Sequence, residues 1–363
     1  PFEEEHGVTV NFEIISDTDL LDRAQVQQET NHVTTDIVVA HNSRMATWIE
    51  NGWVEDMTEH VKSWDDRTFV AAFEADTHMD GKQYFLPVGA DVYLLLAHNN
   101  AMDYLPDGVD LDTITWDQFA DWAVAIADGE GEGKVCVSAL PGNFVIYMFG
   151  GMALSYGGGF PDVNSAGAAE AWEVWRRIGE AGGFGPNVFN INNCVDPMMR
   201  EETWLVVTHN ARVGQVYTSN ETLYTIGPAP TGPVGTGTIA GVSGYAIMKG
   251  SANYDLAVQF LEYLTRPDIQ VKVGKGTGGF IPPVAEAIDY LGAEAVDDVI
   301  NKAVIVLNNG VPSGVPAGNY QDWGAVKACY EKFFEDYIFD GTAFTQEDMD
   351  NAQTCIDDLL KTE

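Results

Sequence analysis

From Val8 to Ile15 apolar and polar residues alternate, with Val8, Val10, Phe12 and Ile14 on one side, and that period of two predicts a strand. Thr18 to Glu29 then follows a helical period behind a Ser16/Asp17 cap region. Asp36 leads a short, unbroken apolar run to Ala40, the pattern of a buried strand of parallel-sheet type, which ends in His41-Asn42-Ser43. Helices are expected at Met45–Asn51, closed by Gly52, and at Met57–Trp64, Thr68–Ala75 and Trp116–Ala127, the last capped by Thr115. Further on, the pattern gives a strand at Val135–Ala139 and helices at Phe144–Tyr156 and Ala166–Ala181. Trp204–Thr208 and Arg212–Val216 straddle a His209-Asn210-Ala211 turn, and the loop Gly227–Gly237 opens onto a strand at Thr238–Met248. Helices follow at Asp255–Leu264 and Pro267–Val273, then a glycine-rich loop to Pro283 and a helix at Ala295–Leu307. After a Pro/Gly joint at Gly310–Gly318, two last helices run Trp323–Tyr337 and Gln346–Leu360. Strands alternate with helices along the whole chain, so the class is α/β.

One strand stands apart. After the turn Asp80-Gly81, the run Tyr84 to Asn99 is almost wholly apolar yet carries Asp91. Alternation puts Asp91 and Tyr93 on one face and Val92 and Leu94 on the other. A carboxylate buried there without a partner would cost several kcal/mol, so it lines a wet cleft or something pairs with it. His41 and Asn42 sit just past a buried strand, where ligand sites of α/β proteins fall. Gly241, Ser243 and Tyr245 share a strand face; Tyr320 and Trp323 stand at a helix start, with Lys327 one turn on. Together they describe a mixed aromatic and hydrogen-bonding surface, suited to a sugar's apolar C–H faces and its hydroxyls.

Other chemistry finds little support. Gly274-Lys275-Gly276-Thr277-Gly278-Gly279 fits GxGxxG, but it follows a helical pattern and runs into Pro282-Pro283, so the dinucleotide context is missing. No HExxH, GxSxG, P-loop or EF-hand pattern occurs. The four cysteines, Cys136, Cys194, Cys329 and Cys355, show no metal-type spacing, so neither a metal nor a cofactor is expected. Cys329 and Cys355 lie equally far from Thr342, between the last two helices, and an antiparallel hairpin would bring them within disulfide range; the pairing of Cys136 with Cys194 is left open.

The 55 acidic residues against 18 basic ones leave a net charge of −37, which repels nucleic acid and anionic lipid. With 45% hydrophobic residues the chain folds, so the charge is a solvated shell, of the kind that concentrated salt screens. No apolar run is long enough to span a bilayer.

Five segments in order carry a resemblance: Phe2 to Val10; Asp36 to Trp53; Asp80 to Asn99; Thr238 to Ser251 with Asp255–Thr265; and Asn319 to Lys327. The chain resembles the extracellular (family 1) solute-binding proteins of ABC sugar importers, the maltose-binding-protein-like group. The resemblance implies a type II, two-lobed α/β fold closing on its ligand. Residues 1–89 with 242–292 would form the first lobe, 92–239 with 293–363 the second, and the hinge crossings would fall near 89–92, 239–243 and 292–310. It also implies that the family's opening strand is missing, leaving unpaired strand edges beside Val8–Ile15 or Asp36–Ala40. Asp91 falls at the family's sugar-binding acid, His41 and Asn42 at its first-lobe polar contact, and Trp323 at its stacking aromatic. Lys327 stands where an arginine is usual and Arg212 where a ring-stacking Trp is usual. Asn143 and Tyr147 fall in the second-lobe contact segment. With Tyr93, Gly241, Ser243, Tyr245, Phe280 and Tyr320 these make up the expected ligand-binding set. The implied function is a non-enzymatic, monomeric receptor, outside the cell or in the periplasm, with or without a lipid anchor. It would hand a mono- or oligosaccharide to a membrane permease. The alternatives are an α/β carbohydrate-active enzyme, or a receptor of the same fold for a polyamine, peptide or glycerol-phosphate ligand.

Overall fold

Ser16 accepts the N–H of Asp19 and so starts the helix Asp17–Glu29, as a cap three residues ahead of an orphan donor should. The computed structural model describes residues 1–73 and 77–361. In chain order its principal elements are α1 (Asp17–Glu29), β1 (Ile37–His41), α2 (Asn42–Glu50), β2 (Leu86–Asp91), β3 (Tyr93–His98), α3 (Trp116–Glu130), α4 (Val145–Ser155) and α5 (Ala166–Glu180). Then come β4 (Leu205–His209), α6 (Asn210–Tyr217), β5 (Tyr224–Pro228), β6 (Gly237–Ile239), β7 (Gly241–Ile247), α7 (Tyr254–Leu264) and α8 (Pro267–Gly276). The last are α9 (Ala295–Asn309), β8 (Val311–Ser313), α10 (Trp323–Phe333) and α11 (Gln346–Asp357).

The chain divides into two compact units. The first comprises residues 1–90, 241–276 and 281–292; the second comprises 91–240, 277–280 and 293–363. The first unit is built on a three-stranded sheet in the order β1-β7-β2. β7 runs antiparallel to β1, with His41 opposite Ser243 and Ile37 opposite Ile247. One face packs Val38, Ala40 and Ala246 with Ala24 of α1 and with Met45 and Trp48 of α2; the other packs Leu86 and Ile247 with Leu261 of α7.

In the second unit β3 lies between β4 and β5, antiparallel to both, and every residue of β3 is buried. A separate parallel pair joins β6 to β8. Its helical core is aromatic: Phe149 stacks on Trp172, and Trp175, Tyr330 and Phe334 are fully buried around them. Such rings supply most of a core's apolar area, and their edge-to-face contacts add to it. Two disulfides lie in this unit, Cys136–Cys194 and Cys329–Cys355, with Cα–Cα separations of 5.9 and 6.1 Å. The second ties α10 to α11, as the hairpin reading required.

Several sequence expectations are corrected. Val8–Ile15 is not a strand: Phe12 and Ile14 are 84% and 99% exposed, and alternation without a partner or a core to face makes no ladder. β1 pairs antiparallel, not parallel, and is the outer strand of its sheet, with Val39 exposed. Val135–Ala139 forms only isolated bridges, from Val135 to Phe184 and Leu205. Arg212–Val216 belongs to α6, which starts directly at Asn210 without a turn. α8 runs on to Gly276, into the stretch read as loop. The helix expected at Thr68–Ala75 is a short 3₁₀ turn at Ala71–Phe73, and its last two residues lie outside those described.

Candidate functional site

Asp91 and Tyr93 do not share a continuous strand. The ladder breaks at Val92, between β2 and β3, and α6 fills the break. The Val92 N–H donates to Asn210 Oδ1 at 2.9 Å, and Val92 O accepts the Asn210 N–H at 2.8 Å. Ala211 N–H donates to Asp91 Oδ1 at 3.3 Å, and Tyr93 N–H donates to Thr238 Oγ1 at 3.0 Å. Asn210 also gives its amide N–H to Gly279 O, which fixes the segment 277–280 that carries half-buried Phe280. The first turn of a helix has unpaired N–H groups and a positive end, so it suits a carboxylate. Even so, burial pushes the Asp91 carboxyl up to about 7; the Ala211 N–H and the charge of Arg212 pull the other way. Asp91 therefore changes charge near neutrality.

An aromatic group adjoins it. Tyr93 OH lies 3.3 Å from His209 Nε2, with ring centroids 4.6 Å apart. His209 in turn meets Phe144 edge-on at 5.3 Å and Tyr147 at 6.4 Å. Trp323 Nε1–H donates to Tyr147 OH at 2.8 Å, and Phe160 and Tyr320 pack on the same indole. Burial raises the Tyr93 hydroxyl well above its usual range, helped by Tyr147 and Asp91, and burial likewise raises Tyr147. Both stay neutral donors at any working pH. Lys327 lies 5.2 Å from the centre of the Tyr147 ring and donates to Gly142 O at 3.1 Å. Burial lowers its ammonium's pKa, opposed by Glu331.

The structure thus brings Asp91, Tyr93, Tyr147, Arg212, Tyr320, Trp323 and Lys327 into linked positions in the second unit. Arg212 Nη1 donates to Gln215, and Asn143 enters through its backbone, whose N–H goes to Glu331. Phe280 also lies in the second unit, and the remaining candidates belong to the first. His41 caps α2: its Nδ1 lies 3.3 Å from the Ser43 N and 2.9 Å from Ser43 Oγ. Its Nε2 lies 3.4 Å from where a Cβ on Gly241 would stand, so the ring covers that backbone. Ser243 is opposite His41 in the sheet, and Asn42 is buried in the first turn of α2. Tyr245 instead packs against the core of Leu86, Ile247 and Leu261, and burial lifts its hydroxyl to about 12. Sequence reasoning missed His209, Phe144, Phe160, Asn210 and Glu331. The signal available for the first of these was its place at the end of a buried strand.

The family model of the bacterial extracellular solute-binding proteins matches residues 1–303. The chain belongs to the bacterial extracellular solute-binding proteins. A binding protein of Brucella abortus (strain 2308) is 22% identical over 295 residues, 77% of this chain and 70% of that one. Among solved structures, an ABC-transporter solute-binding protein of Thermotoga lettingae with α-D-tagatose superposes with a TM-score of 0.73. It is 18% identical and covers 98% of this chain and 93% of its own. A Mycobacterium tuberculosis protein bound to glycerophosphocholine gives 0.73 at 17% identity, over 98% and 92%. This solute-binding protein therefore has the two-lobed α/β fold of that group. Among the described residues no helix is long and apolar enough to cross a membrane, and no cluster of three His, Cys, Asp or Glu could hold a metal ion.

Proposed function

We propose that this protein captures a sugar or sugar-like solute outside the cell and delivers it to the permease of an ABC importer. The observation that carries the reading is the Trp323–Tyr147 pair, whose indole and phenol are hydrogen-bonded, in the same unit as Tyr93 and the Asp91 carboxyl. Rings supply flat apolar surface for C–H faces, and the phenols and carboxyl supply donors and an acceptor for hydroxyls. The tagatose complex of the Thermotoga protein supports the same ligand class. Capture rather than hydrolysis is supported by Glu331, a second carboxylate near this cluster: both its oxygens already accept backbone N–H groups of Gly142 and Asn143. A glycosidase needs two carboxyls free to act across the bond. The acidic composition supports work in concentrated salt.

A thermal-shift screen in molar KCl tests the reading, with D-tagatose, maltose, glycerophosphocholine and spermidine as probes. A ligand that binds only the native state raises its melting temperature. A carbohydrate should raise it, and Trp323→Ala should remove the response. If only spermidine or glycerophosphocholine shifts the transition, the sugar reading is wrong.

A further inference from the structure

We propose that Glu331 is a positioning residue that sets the stance of the Tyr147–Trp323 pair. Trp323, Lys327 and Glu331 recur every fourth residue on α10, so they stand one above another on a single face of that helix. All three grip one short stretch. Glu331 Oε1 accepts the N–H of Gly142 at 2.8 Å and of Asn143 at 2.9 Å, and its Oε2 accepts the Gly142 N–H at 2.9 Å. Lys327 takes the carbonyl of the same Gly142, and Trp323 closes on Tyr147.

α4 begins directly after this stretch, and Phe144 at its cap position provides no side-chain bond. A Ser, Thr or Asp at the cap would take donors inside the first turn; the two N–H groups at issue here, of Gly142 and Asn143, lie ahead of the cap residue Phe144. Here the carboxylate of another helix takes them. Gly142 holds φ at 88°, a left-handed backbone that glycine adopts without strain, and Glu331 adds its bonds to a turn that also closes through Asn143 N–H to Leu140 O at 3.1 Å. Tyr147 lies in the first turn of α4, and its hydroxyl returns to α10 through Trp323. The connections form a closed circuit, and Glu331 is the link whose removal leaves the rest of the fold in place. α10 stays attached to α11 through Cys329–Cys355. The effect on the ligand rests on the proposed function; the circuit itself does not.

The experiment uses the whole chain, ¹⁵N-labelled, in molar KCl and without ligand. Its nine tryptophans give nine indole N–H signals, and Trp323→Phe identifies one of them. In Glu331→Ala the Trp323 signal should move, and its exchange with solvent should quicken about tenfold, while the other eight stay in place. Glu331→Gln keeps an acceptor and should restore the parent position in whole or in part. A Trp323 signal unmoved in Glu331→Ala overturns the proposal. So do all nine signals moving together in both variants, which would make Glu331 a general support. In a second arm, the carbohydrate found in the screen is titrated into Glu331→Ala, and a roughly tenfold weaker Kd is expected. If the indole responds but no carbohydrate binds the parent, the circuit stands and the sugar reading falls.

Discussion

Asp91→Asn should make the ligand-free protein more stable and the receptor worse. Burial holds the Asp91 carboxyl at about 7 against an ordinary 3.8. A carboxyl raised in this way stays protonated in the native state while it ionises in the unfolded one. Stability therefore falls as pH rises from about 4, and levels off above 7. At 1.36 kcal/mol per tenfold change, the cost is roughly 1.5 kcal/mol at pH 5 and roughly 4 kcal/mol at pH 8. Asparagine keeps the shape, can still accept the Ala211 N–H through Oδ1, and carries no charge to desolvate. The variant should thus gain about 2–3 kcal/mol more at pH 8 than at pH 5. The many surface acids titrate alike in both proteins and cancel in the difference. Ligand binding should move the other way. Losing a charged acceptor for hydroxyls weakens it by roughly 1.5–3 kcal/mol, or ten- to a hundredfold in Kd. Urea unfolding at the two pH values, in constant KCl, measures the first effect, and calorimetric titration with the screened carbohydrate measures the second. If the variant is less stable than the parent at pH 8, or gains equally at both pH values, Asp91 is not a desolvated acid.

Three further outcomes are expected. With a net charge of −37, the melting temperature should climb between 0.1 and 3 M KCl, and a flat or falling curve removes the concentrated-salt reading. Asn210→Ala strands the buried Val92 N–H and Gly279 C=O and should cost about 2–4 kcal/mol in urea unfolding; a cost below about 1 kcal/mol would mean that water replaces the side chain. Replacing Cys329 and Cys355 by Ala should lower stability by roughly 3–4 kcal/mol, the entropy of a loop closed across 26 positions, and a denaturation midpoint unchanged from the parent would refute it.

The helices were legible where local chemistry decides them. Ser16 and Thr115 each cap the helix assigned to them, because the signal lies within three residues. The failures lie where the outcome depends on partners. Val8–Ile15 has the alternation of a strand but no pairing strand among the described residues, and Asn210 looks like a turn residue until its side chain is seen bonded to Val92, 118 positions away. The candidate residues could be named from the chain, because their types and order carry the resemblance. Their roles could not. Tyr245 shares a strand face with Ser243 yet faces a core, and Glu331, read only as part of a helix, reaches across 188 residues to a backbone turn. No local period encodes such contacts.

The strand order β1-β7-β2 also dictates when the first unit can exist. β1 and β2 are both made within the first 91 residues, but the strand that joins them begins at Gly241. A ribosome must therefore add a further 150 residues, nearly all of the second unit's first segment, before the sheet's middle is available. Until then the outer strands have no ladder between them, and their apolar faces lack Ala246, Ile247 and Met248, against which they pack. The second unit's sheet, β4-β3-β5, is complete by Pro228. During synthesis the later-numbered unit has its sheet first, and the amino-terminal one waits for it.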